Sequence, residues 1–386
     1  MLLARRQDVA ALPKLDRLRV GAIDLTITRD FAAAAAKYEE MANAGAPDAE
    51  LAVDLGRAYA NAEQRDKAIA NYRRAAKGAA HNPAAWLQLA ILYSRARDTA
   101  KADEAFRQAE ERYQLTSNLE GLIEVAFQRG AAADTLDEFE AGAKHLHKAL
   151  ETAQFVGNVQ QEVRAKLELG TNAYQVGDAA TADRYPREGL DTAQANKIDS
   201  LAIRGLVGLA SAYSRKRDFA GAERYYQQAA SLARATASKR LGAYALLSLA
   251  SLHDQKLQSN PAASEAAEAL AYYQPNAFVR QTAQCLVIIG RAHMRKGEND
   301  QTLDIFHRAS VAANTAQDRG LETLAEESLG KINEAEERFP EALEHYKREL
   351  TLSITAEQRA LCRRALWPRS LDFGRLQNCR LCIRRR

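Results

Sequence analysis

Small residues recur at a fixed interval through most of this 386-residue chain. Glycine or alanine stands at seven equally spaced positions, namely Ala90, Gly130, Gly170, Ala210, Ala250, Gly290 and Gly330. A second series follows twelve residues behind the first, at Gly142, Ala182, Ala222, Ala262, Thr302 and Ala342. Two helices approach closely where they cross only if the side chains at the crossing are small. The interval therefore predicts a stack of equivalent helix pairs.

Large side chains complete the pattern around each small one. In residues 84–109 the anchors are Trp86, Leu89, Tyr93 and Phe106, at helical spacing around Ala90. The same slots occur one shorter unit earlier, at Leu55, Gly56, Tyr59, Ala68, Tyr72 and Ala75. This spacing resembles the W-x2-L-G-x2-Y…A-x3-F pattern of the tetratricopeptide-repeat family. The resemblance covers roughly residues 20–358.

The resemblance implies an all-α fold, a right-handed superhelical solenoid of about nine antiparallel helix pairs, mostly in 40-residue units. The six residues added to the usual unit are expected to lengthen both the helices and the turn between units. We expect three segments: an N-terminal lead-in helix over 1–19, the solenoid over 20–358, and a basic tail over 359–386. The tail is expected to be partly a capping helix and partly disordered.

Turn residues support this register. Gly177 and Gly297 stand where the first helix of a pair ends, and glycine suits a left-handed exit. Asp218 is an N-cap candidate for the helix that follows it. Pro186 falls inside a predicted second helix, where it would cost about 3 kcal/mol unless the helix kinks. The turn at 258–261 contains Pro261 and is expected to be longer and looser than its neighbours.

The charge of the chain is unevenly distributed. The formal net charge is +4, but residues 359–386 carry nine arginines against one acid, so residues 1–358 carry 4 − 8 = −4. Net charge is therefore no argument for nucleic-acid binding by the body. No apolar run is long enough to span a bilayer. We expect a cytoplasmic protein.

Catalytic chemistry finds no support in the residues. There is no Walker loop, no Rossmann glycine fingerprint and no kinase catalytic loop. His253 and His293 occupy the slot that Tyr93 fills and are expected to be packing residues. Cys362, Cys379 and Cys382 give three thiolates where a zinc site wants four ligands. We expect no enzyme activity, no cofactor and no metal.

A narrower resemblance concerns the middle and the end of the repeats. The stretches NLEGLIEVAFQRG and ERFPEALEHYKREL are similar to the repeat region of acidobacterial-type serine/threonine kinases. In those proteins a kinase domain precedes the repeats, often with a membrane helix between them. The resemblance implies a regulatory or sensor segment of kinase-linked signalling without its kinase domain. Such a segment would be extracytoplasmic if it derived from a membrane-anchored kinase.

The first helices of a solenoid line its concave side, so function is expected there. The register places these residues on that side: Arg57, Asn61, Arg95, Arg164, Tyr174, Arg204, Arg215, Tyr244, Arg291, Arg295 and Lys331. Cations outnumber acids among them, and the acidic exceptions are Asp134, Asp254, Glu327 and Glu334. The pattern indicates a groove for a peptide or protein partner of acidic character, held by arginine–carboxylate pairs.

Two alternatives stay open. The arginines of the predicted groove could serve only to solvate the surface. The arginine-rich tail could instead bind nucleic acid or an anionic membrane. A small-molecule substrate has no support in the sequence, and neither does a transmembrane segment.

Overall fold

The computed structural model describes residues 12–44, 49–62, 64–78 and 82–353. Within these ranges every regular element is an α-helix, as expected. The eighteen helices are α1 (Lys14–Ile27), α2 (Phe31–Asn43), α3 (Ala49–Asn61), α4 (Arg65–Lys77), α5 (Pro83–Arg95), α6 (Thr99–Leu115), α7 (Leu119–Thr135), α8 (Phe139–Val156), α9 (Val159–Gln175), α10 (Ala179–Ala195), α11 (Asp199–Arg215), α12 (Phe219–Ala235), α13 (Lys239–Gln255), α14 (Ser259–Tyr273), α15 (Val279–Lys296), α16 (Asn299–Thr315), α17 (Arg319–Ala335) and α18 (Phe339–Ser353). Eight pairs of the kind that the interval predicts pack within the described residues, from α1 with α2 to α17 with α18.

The described residues divide into two compact units. The N-terminal unit contains α1 to α13 together with residues 271–277, and the C-terminal unit contains residues 257–270 together with α15 to α18. Within each unit the two helices of a pair pack on each other, and each pair packs on the next. The predicted boundary at residue 19 lies inside α1. The predicted tail, 359–386, lies outside the described residues, as do its cysteines.

The small residues lie at equivalent crossings, which confirms the central prediction. In the N-terminal unit, a Cβ built on Gly56 would meet the Tyr72 ring at 2.7 Å, and one on Gly130 would meet Leu146 at 2.7 Å. In the C-terminal unit, a Cβ on Gly290 would meet the Phe306 ring at 2.8 Å. Each glycine faces the residue sixteen positions later, on the second helix of its own pair. Absence of a side chain is what lets the two helices touch.

The alanines of both small series are buried as well. Ala90, Ala210 and Ala250 have no exposed surface. The second series is also buried throughout, including its one threonine. Thr302 places its hydroxyl within the helix, where it donates to the backbone carbonyl of Glu298 at 2.5 Å. A hydroxyl that bonds within its own helix can therefore occupy a slot that otherwise takes alanine.

The connections between helices recur at half the length of the long repeat unit. One residue with positive φ recurs in each connection from Arg97 to Glu337, at half the interval of the crossing residues, and its φ lies between 51° and 80°. The helices become longer where the repeat unit lengthens to 40 residues. α6 has 17 residues and α8 has 18 residues, whereas α3, α4 and α5 have 13 residues each. The turn between units did not lengthen: residues 116–118 connect α6 to α7, and residues 136–138 connect α7 to α8. The added residues lengthen the helices, and the prediction of a longer turn was wrong.

Asparagine or aspartate follows the positive-φ residue in many of these turns and caps the next helix. Asp98, Asn118, Asn158, Asp178, Asp218 and Asp318 each accept a hydrogen bond from the backbone N–H three residues later. This contact satisfies one of the N–H groups that a helix start leaves without an intrahelical partner. The predicted cap at Asp218 is confirmed, and so is the left-handed conformation of Gly177 and Gly297.

Proline behaves differently at its two internal positions. Pro186 lies within the continuous helix α10 and packs its ring against Gly170, in the slot that Leu146 fills one unit earlier. Pro261 belongs to the first turn of α14, where the missing N–H has no intrahelical role. Residues 256–258 alone connect α13 to α14, so the expectation of a longer, looser turn there was wrong.

Candidate interaction surface on the first helices

Contacts between neighbouring pairs show which side of the stack is concave. In the N-terminal unit the first helices α5, α7, α9, α11 and α13 contact one another in succession. The second helices described in that unit reach no comparable contact with each other. Helices that touch on one side and spread on the other produce a curve whose inner side is the touching one. In the C-terminal unit the first helices α15 and α17 contact each other in the same way.

We call this side of the first helices the first-helix face. It consists of the positions six and two residues before each small crossing residue, and one, four and five residues after it. All eleven residues predicted from the register occupy these positions. In the N-terminal unit Arg57, Asn61, Arg95, Arg204, Arg215 and Tyr244 are exposed, and Arg164 and Tyr174 are half-buried. In the C-terminal unit Arg291, Arg295 and Lys331 are half-buried.

Some of the predicted cations are already neutralised by acids on the same face. Arg164 donates to Glu124 at 2.7 Å, and its guanidinium lies 4.3 Å from the centre of the Phe127 ring. Arg57 lies 3.2 Å from Asp54, one turn earlier on α3. These arginines hold the face together and are poorly placed to receive a ligand.

Glu124 and Asp54 were missed by the sequence prediction. Both occupy positions of the first-helix face, so the same register could have found them. Burial alone would raise the pKa of Glu124, but hydrogen bonds from Arg164 and Gln128 outweigh it and hold that pKa below its ordinary value. Glu124 is therefore a carboxylate at neutral pH. With Glu124 and Asp54 included, the excess of cations over acids on the first-helix face is smaller than the sequence analysis predicted.

Acidic groups also gather between α7 and α9. Asn172 donates to Oδ1 of Asp134 at 2.6 Å, and burial raises the pKa of Asp134. Burial and the neighbouring Asp134 charge both raise the pKa of Glu168, while Arg204 and Arg164 oppose that rise. Glu168 was also absent from the predicted set. The first-helix face of the N-terminal unit therefore changes sign along the stack.

Arg95 on α5 and Arg204 and Arg215 on α11 differ from the paired arginines. None of the three has a carboxylate within 4.0 Å among the described residues. The guanidinium of Arg215 lies 4.1 Å from the centre of the Tyr174 ring, which holds it by a cation–π contact. Tyr244 is 45% exposed on the neighbouring helix α13. On α11 the face therefore offers two cationic groups to solvent, in addition to Arg95 on α5.

On the first-helix face of the C-terminal unit, more of the predicted residues already contact other side chains. Lys331 lies 2.5 Å from Glu327, and Tyr346 donates to Glu334 at 2.6 Å. Arg291 and Arg295 both make further contacts of their own. The structure therefore gives less support to an open cationic surface here than at α11.

His253, which was predicted to be a packing residue, and Cys285 both lie in the interior. His253 is buried with Nε2 at 3.5 Å from Glu223, as a filler residue should be. Cys285 is fully buried, and burial raises the pKa of its thiol to about 12. Within the described ranges no group of three His, Cys, Asp or Glu side chains is placed to hold a metal ion. None of the helices described there is long and apolar enough to cross a membrane.

Comparisons with known proteins agree with this architecture. Two family models described as tetratricopeptide repeat match residues 83–114 and 206–240. The transcriptional activator NprA of Geobacillus stearothermophilus is 32% identical over 85 residues, which are 22% of this chain and 21% of that protein. The match therefore spans about a fifth of the length of that relative.

Two solved structures are similar over most of the chain. One is a STAND (signal transduction ATPase with numerous domains) protein with a tetratricopeptide repeat sensor from Pyrococcus horikoshii, with a TM-score of 0.58 at 15% identity over 88% of this chain and 53% of that one. The other is a Rap protein complexed with competence and sporulation factor, with a TM-score of 0.53 at 12% identity over 90% of this chain and 97% of that one. At these identities the likeness concerns the fold alone. The two repeat matches and the equivalent crossings support a tetratricopeptide-repeat architecture for the chain.

Proposed function

We propose that the chain is a non-catalytic interaction scaffold that binds a peptide or protein segment on its first-helix face. The observation that carries the proposal is the succession of touching first helices within each unit, which gives that unit a concave side with exposed or half-buried polar residues. An extended surface of this kind suits a long, flexible ligand better than a small molecule. No substrate or cofactor enters the proposal.

The shared fold supports this function. The Rap protein whose fold is similar is complexed with competence and sporulation factor. A chain with a similar fold therefore binds a factor of this kind, and we extend that capacity to this chain. From the sequence resemblance we also propose that the chain is a regulatory or sensor segment of kinase-linked signalling.

The proposed partner is acidic. Arg204 and Arg215 are exposed cations on the first-helix face, and no carboxylate of the described residues lies within 4.0 Å of either. Arginine binds carboxylates through two parallel N–H···O contacts, which gives both affinity and orientation. Carboxylates of the partner would accept from Arg204 and Arg215 in the way that Glu124 accepts from Arg164 within the chain.

Site-specific photo-crosslinking tests the proposed face. The full chain carries p-benzoylphenylalanine in place of Tyr244 on the first-helix face or, as a control, in place of Phe155 at the end of α8. Both side chains are exposed, Tyr244 at 45% and Phe155 at 84%, so both probes can react. In lysate of the source organism we expect the variant with the probe at position 244 to form a protein adduct and the variant with the probe at position 155 to form none. Adducts at 155 alone, or equally at both positions, would contradict the proposed face.

A second candidate function rests on the composition of the tail. Residues 359–386 carry nine arginines and one acid, a balance that favours nucleic acid or an anionic membrane. Deleting residues 368–386 tests it, with a DNA duplex and phosphatidylserine vesicles as probes over a series of salt concentrations. Salt-sensitive binding that disappears on deletion supports this function. Binding that survives deletion contradicts it.

A further inference from the structure

One stripe on α11 faces away from the core and is open to a ligand. Arg204, Gly208, Ser211 and Arg215 are separated by four, three and four residues, which places them on one side of the helix. The two arginines and Gly208 are exposed, and Ser211 is half-buried. Other residues of the helix are buried: Leu201, Ile203, Leu206, Leu209 and Ala212. We call these four residues the α11 stripe.

The ends of the α11 stripe carry the available charge. No carboxylate lies within 4.0 Å of Arg204 or Arg215 among the described residues, in contrast to the 2.7 Å pair of Arg164 with Glu124. The guanidinium carbon of Arg215 lies 4.1 Å from the centre of the Tyr174 ring, a contact that restrains this side chain. A stacked guanidinium keeps its in-plane N–H groups for an acceptor. The stripe is therefore prepared at both ends for a carboxylate.

The middle of the α11 stripe is empty. A Cβ built on Gly208 would meet no other heavy atom within 4 Å. Glycine inside a helix is less favourable than alanine by about 0.5–1 kcal/mol, so the position is not explained by helix stability. Neither is it explained by packing, unlike Gly130 or Gly170. It does allow the backbone of a ligand to approach the helix closely.

Tyrosines flank the α11 stripe on the two neighbouring first helices. Tyr174 belongs to α9 and Tyr244 to α13, and both of these helices contact α11. Burial raises the pKa of Tyr244 while the charge of Arg204 opposes that rise, which places the two side chains in the same electrostatic neighbourhood. An aromatic side chain on each side would confine a bound chain laterally.

We propose that the α11 stripe selects an extended peptide segment with two carboxylates about five residues apart. This inference rests on the proposed function and gives it a specificity. Eleven residues of helix separate the two arginines, a rise of about 16 Å at 1.5 Å per residue. An extended peptide advances about 3.3 Å per residue and covers that distance in about five residues. A helical peptide would need about eleven residues for the same span.

Selection from a random ten-residue peptide library displayed on phage tests the spacing. The full chain is the bait, and the selected peptides are sequenced. We expect enrichment of two acidic residues at positions i and i+5. If peptides are enriched without that pair, the spacing inference is overturned and the proposed function stands. If no peptide is enriched, the proposed function fails and this inference fails with it.

Substitutions on the stripe then test the contacts. The dissociation constant of a selected peptide is measured by fluorescence anisotropy for R204A/R215A and for a matched control, R184A/R224A. The control arginines are also exposed and lie 4.7 and 5.1 Å from tyrosine ring centres, but they belong to the second helices α10 and α12, and Arg184 lies 3.9 Å from Glu188. We expect about 100-fold weaker binding for the first variant, roughly tenfold per charge-assisted contact, and an unchanged value for the control. Equal effects in the two variants would overturn the proposal.

Gly208 provides an independent variant that leaves the charge unchanged. Gly208→Leu fills the open middle of the stripe and improves helix propensity, so the fold should be retained. We expect binding of the selected peptide to weaken about tenfold or more, with the circular dichroism spectrum and melting temperature preserved. Unchanged affinity in this variant would show that the ligand does not cross the stripe at Gly208.

Discussion

At the crossing of α3 and α4 there is no room for one more methyl group. A Cβ on Gly56 would lie 2.7 Å from Cε1 of Tyr72, and the Tyr72 side chain is fully buried, so it cannot move into solvent. We expect Gly56→Ala to lower the free energy of unfolding by about 1–3 kcal/mol, because overpacking outweighs the gain in helix propensity. Urea unfolding followed by circular dichroism measures the change.

The matched control for that substitution is Gly21→Ala in α1. A Cβ at Gly21 would meet no heavy atom within 4 Å, and the residue lies inside a helix as Gly56 does. Here the same change should raise the free energy of unfolding by about 0.5–1 kcal/mol. A loss of similar size at both positions would mean that the crossing glycines have no special role.

Glu326 in α17 makes the C-terminal unit sensitive to acid. Its carboxylate accepts from Ser310 at 2.6 Å and lies 2.8 Å from Nδ1 of His345, and it is almost fully buried. Burial raises the pKa of Glu326, but the bonds from His345 and Ser310 outweigh that effect, and the pKa lies below its ordinary value. A carboxyl with a depressed pKa stabilises the fold above the pKa of the unfolded chain, about 4.3, and loses that contribution as the pH falls further.

Replacing Glu326 by Gln removes this contribution. We expect E326Q to be less stable than the natural chain by about 1–3 kcal/mol at pH 7, with the difference shrinking as the pH falls below about 4.3. Urea midpoints between pH 3 and pH 7 measure it. The neighbouring Glu327 pairs with Lys331 at a more exposed position, so E327Q should have a smaller effect. A pH-independent difference for E326Q would refute the role given to the buried carboxylate.

For single residues, the sequence predicted on which side of a helix an arginine lies better than it predicted which side chain that arginine contacts. The register places Arg164 and Arg204 on the first helices, since helical periodicity determines which residues share a side. It could not show that Arg164 reaches Glu124, because the two residues lie 40 positions apart on different helices. Which arginine is neutralised depends on how far one helix is displaced along the next, and the residue pattern carries no measure of that displacement.

At the scale of the helices, α10 carries an interior proline that its neighbours lack. Pro186 removes a backbone hydrogen bond and would ordinarily cost about 3 kcal/mol, yet its ring fills the crossing slot against Gly170. Leu146 fills the equivalent slot against Gly130. We therefore expect Pro186→Leu to raise the free energy of unfolding by about 1–3 kcal/mol, because it restores the hydrogen bond and keeps the slot filled.

Pro186→Ala separates the two contributions. Alanine restores the backbone hydrogen bond but leaves the slot partly empty, so it should stabilise less than leucine does. Thermal and urea unfolding of the two variants beside the natural chain give the comparison. Leucine less stable than proline would show that the fit of the pyrrolidine ring outweighs the lost hydrogen bond.

The turns show where pattern recognition ends at this scale. The glycines at positions 177 and 297 indicate in the sequence which turn residue is left-handed. Ala237 and Leu257 occupy the equivalent positions of other turns and adopt the same conformation, with φ of 52° and 59°. Neither residue type favours that conformation. It is imposed because helices of equal length must cross at the same points, and so each turn must reverse the chain in the same few residues. The longer unit was predicted to lengthen both the helices and the turn between units, and only the helices became longer.

At the scale of the N-terminal unit, a contact joins residues from its two ends. Arg29, in the turn between α1 and α2, donates through Nε to the backbone carbonyl of Asn276 at 3.1 Å. Burial lowers the pKa of Arg29, and the neighbouring Arg240 lowers it further. A repeat stack is usually described by contacts between nearest neighbours. Such a description, which is all that a repeating sequence supplies, does not predict an interaction across 247 residues.

Loss of that contact should loosen both ends of the N-terminal unit together. We expect Arg29→Ala to speed amide hydrogen–deuterium exchange at residues 28–31 and at residues 271–277, because the guanidinium is the group that joins them. Arg97→Ala is the matched control: Arg97 has the same left-handed conformation, φ 56° against 66°, in the turn between α5 and α6. It should leave exchange at 271–277 unchanged. Faster exchange confined to 28–31 in the Arg29 variant would mean that the bond to Asn276 contributes nothing to how the unit is closed.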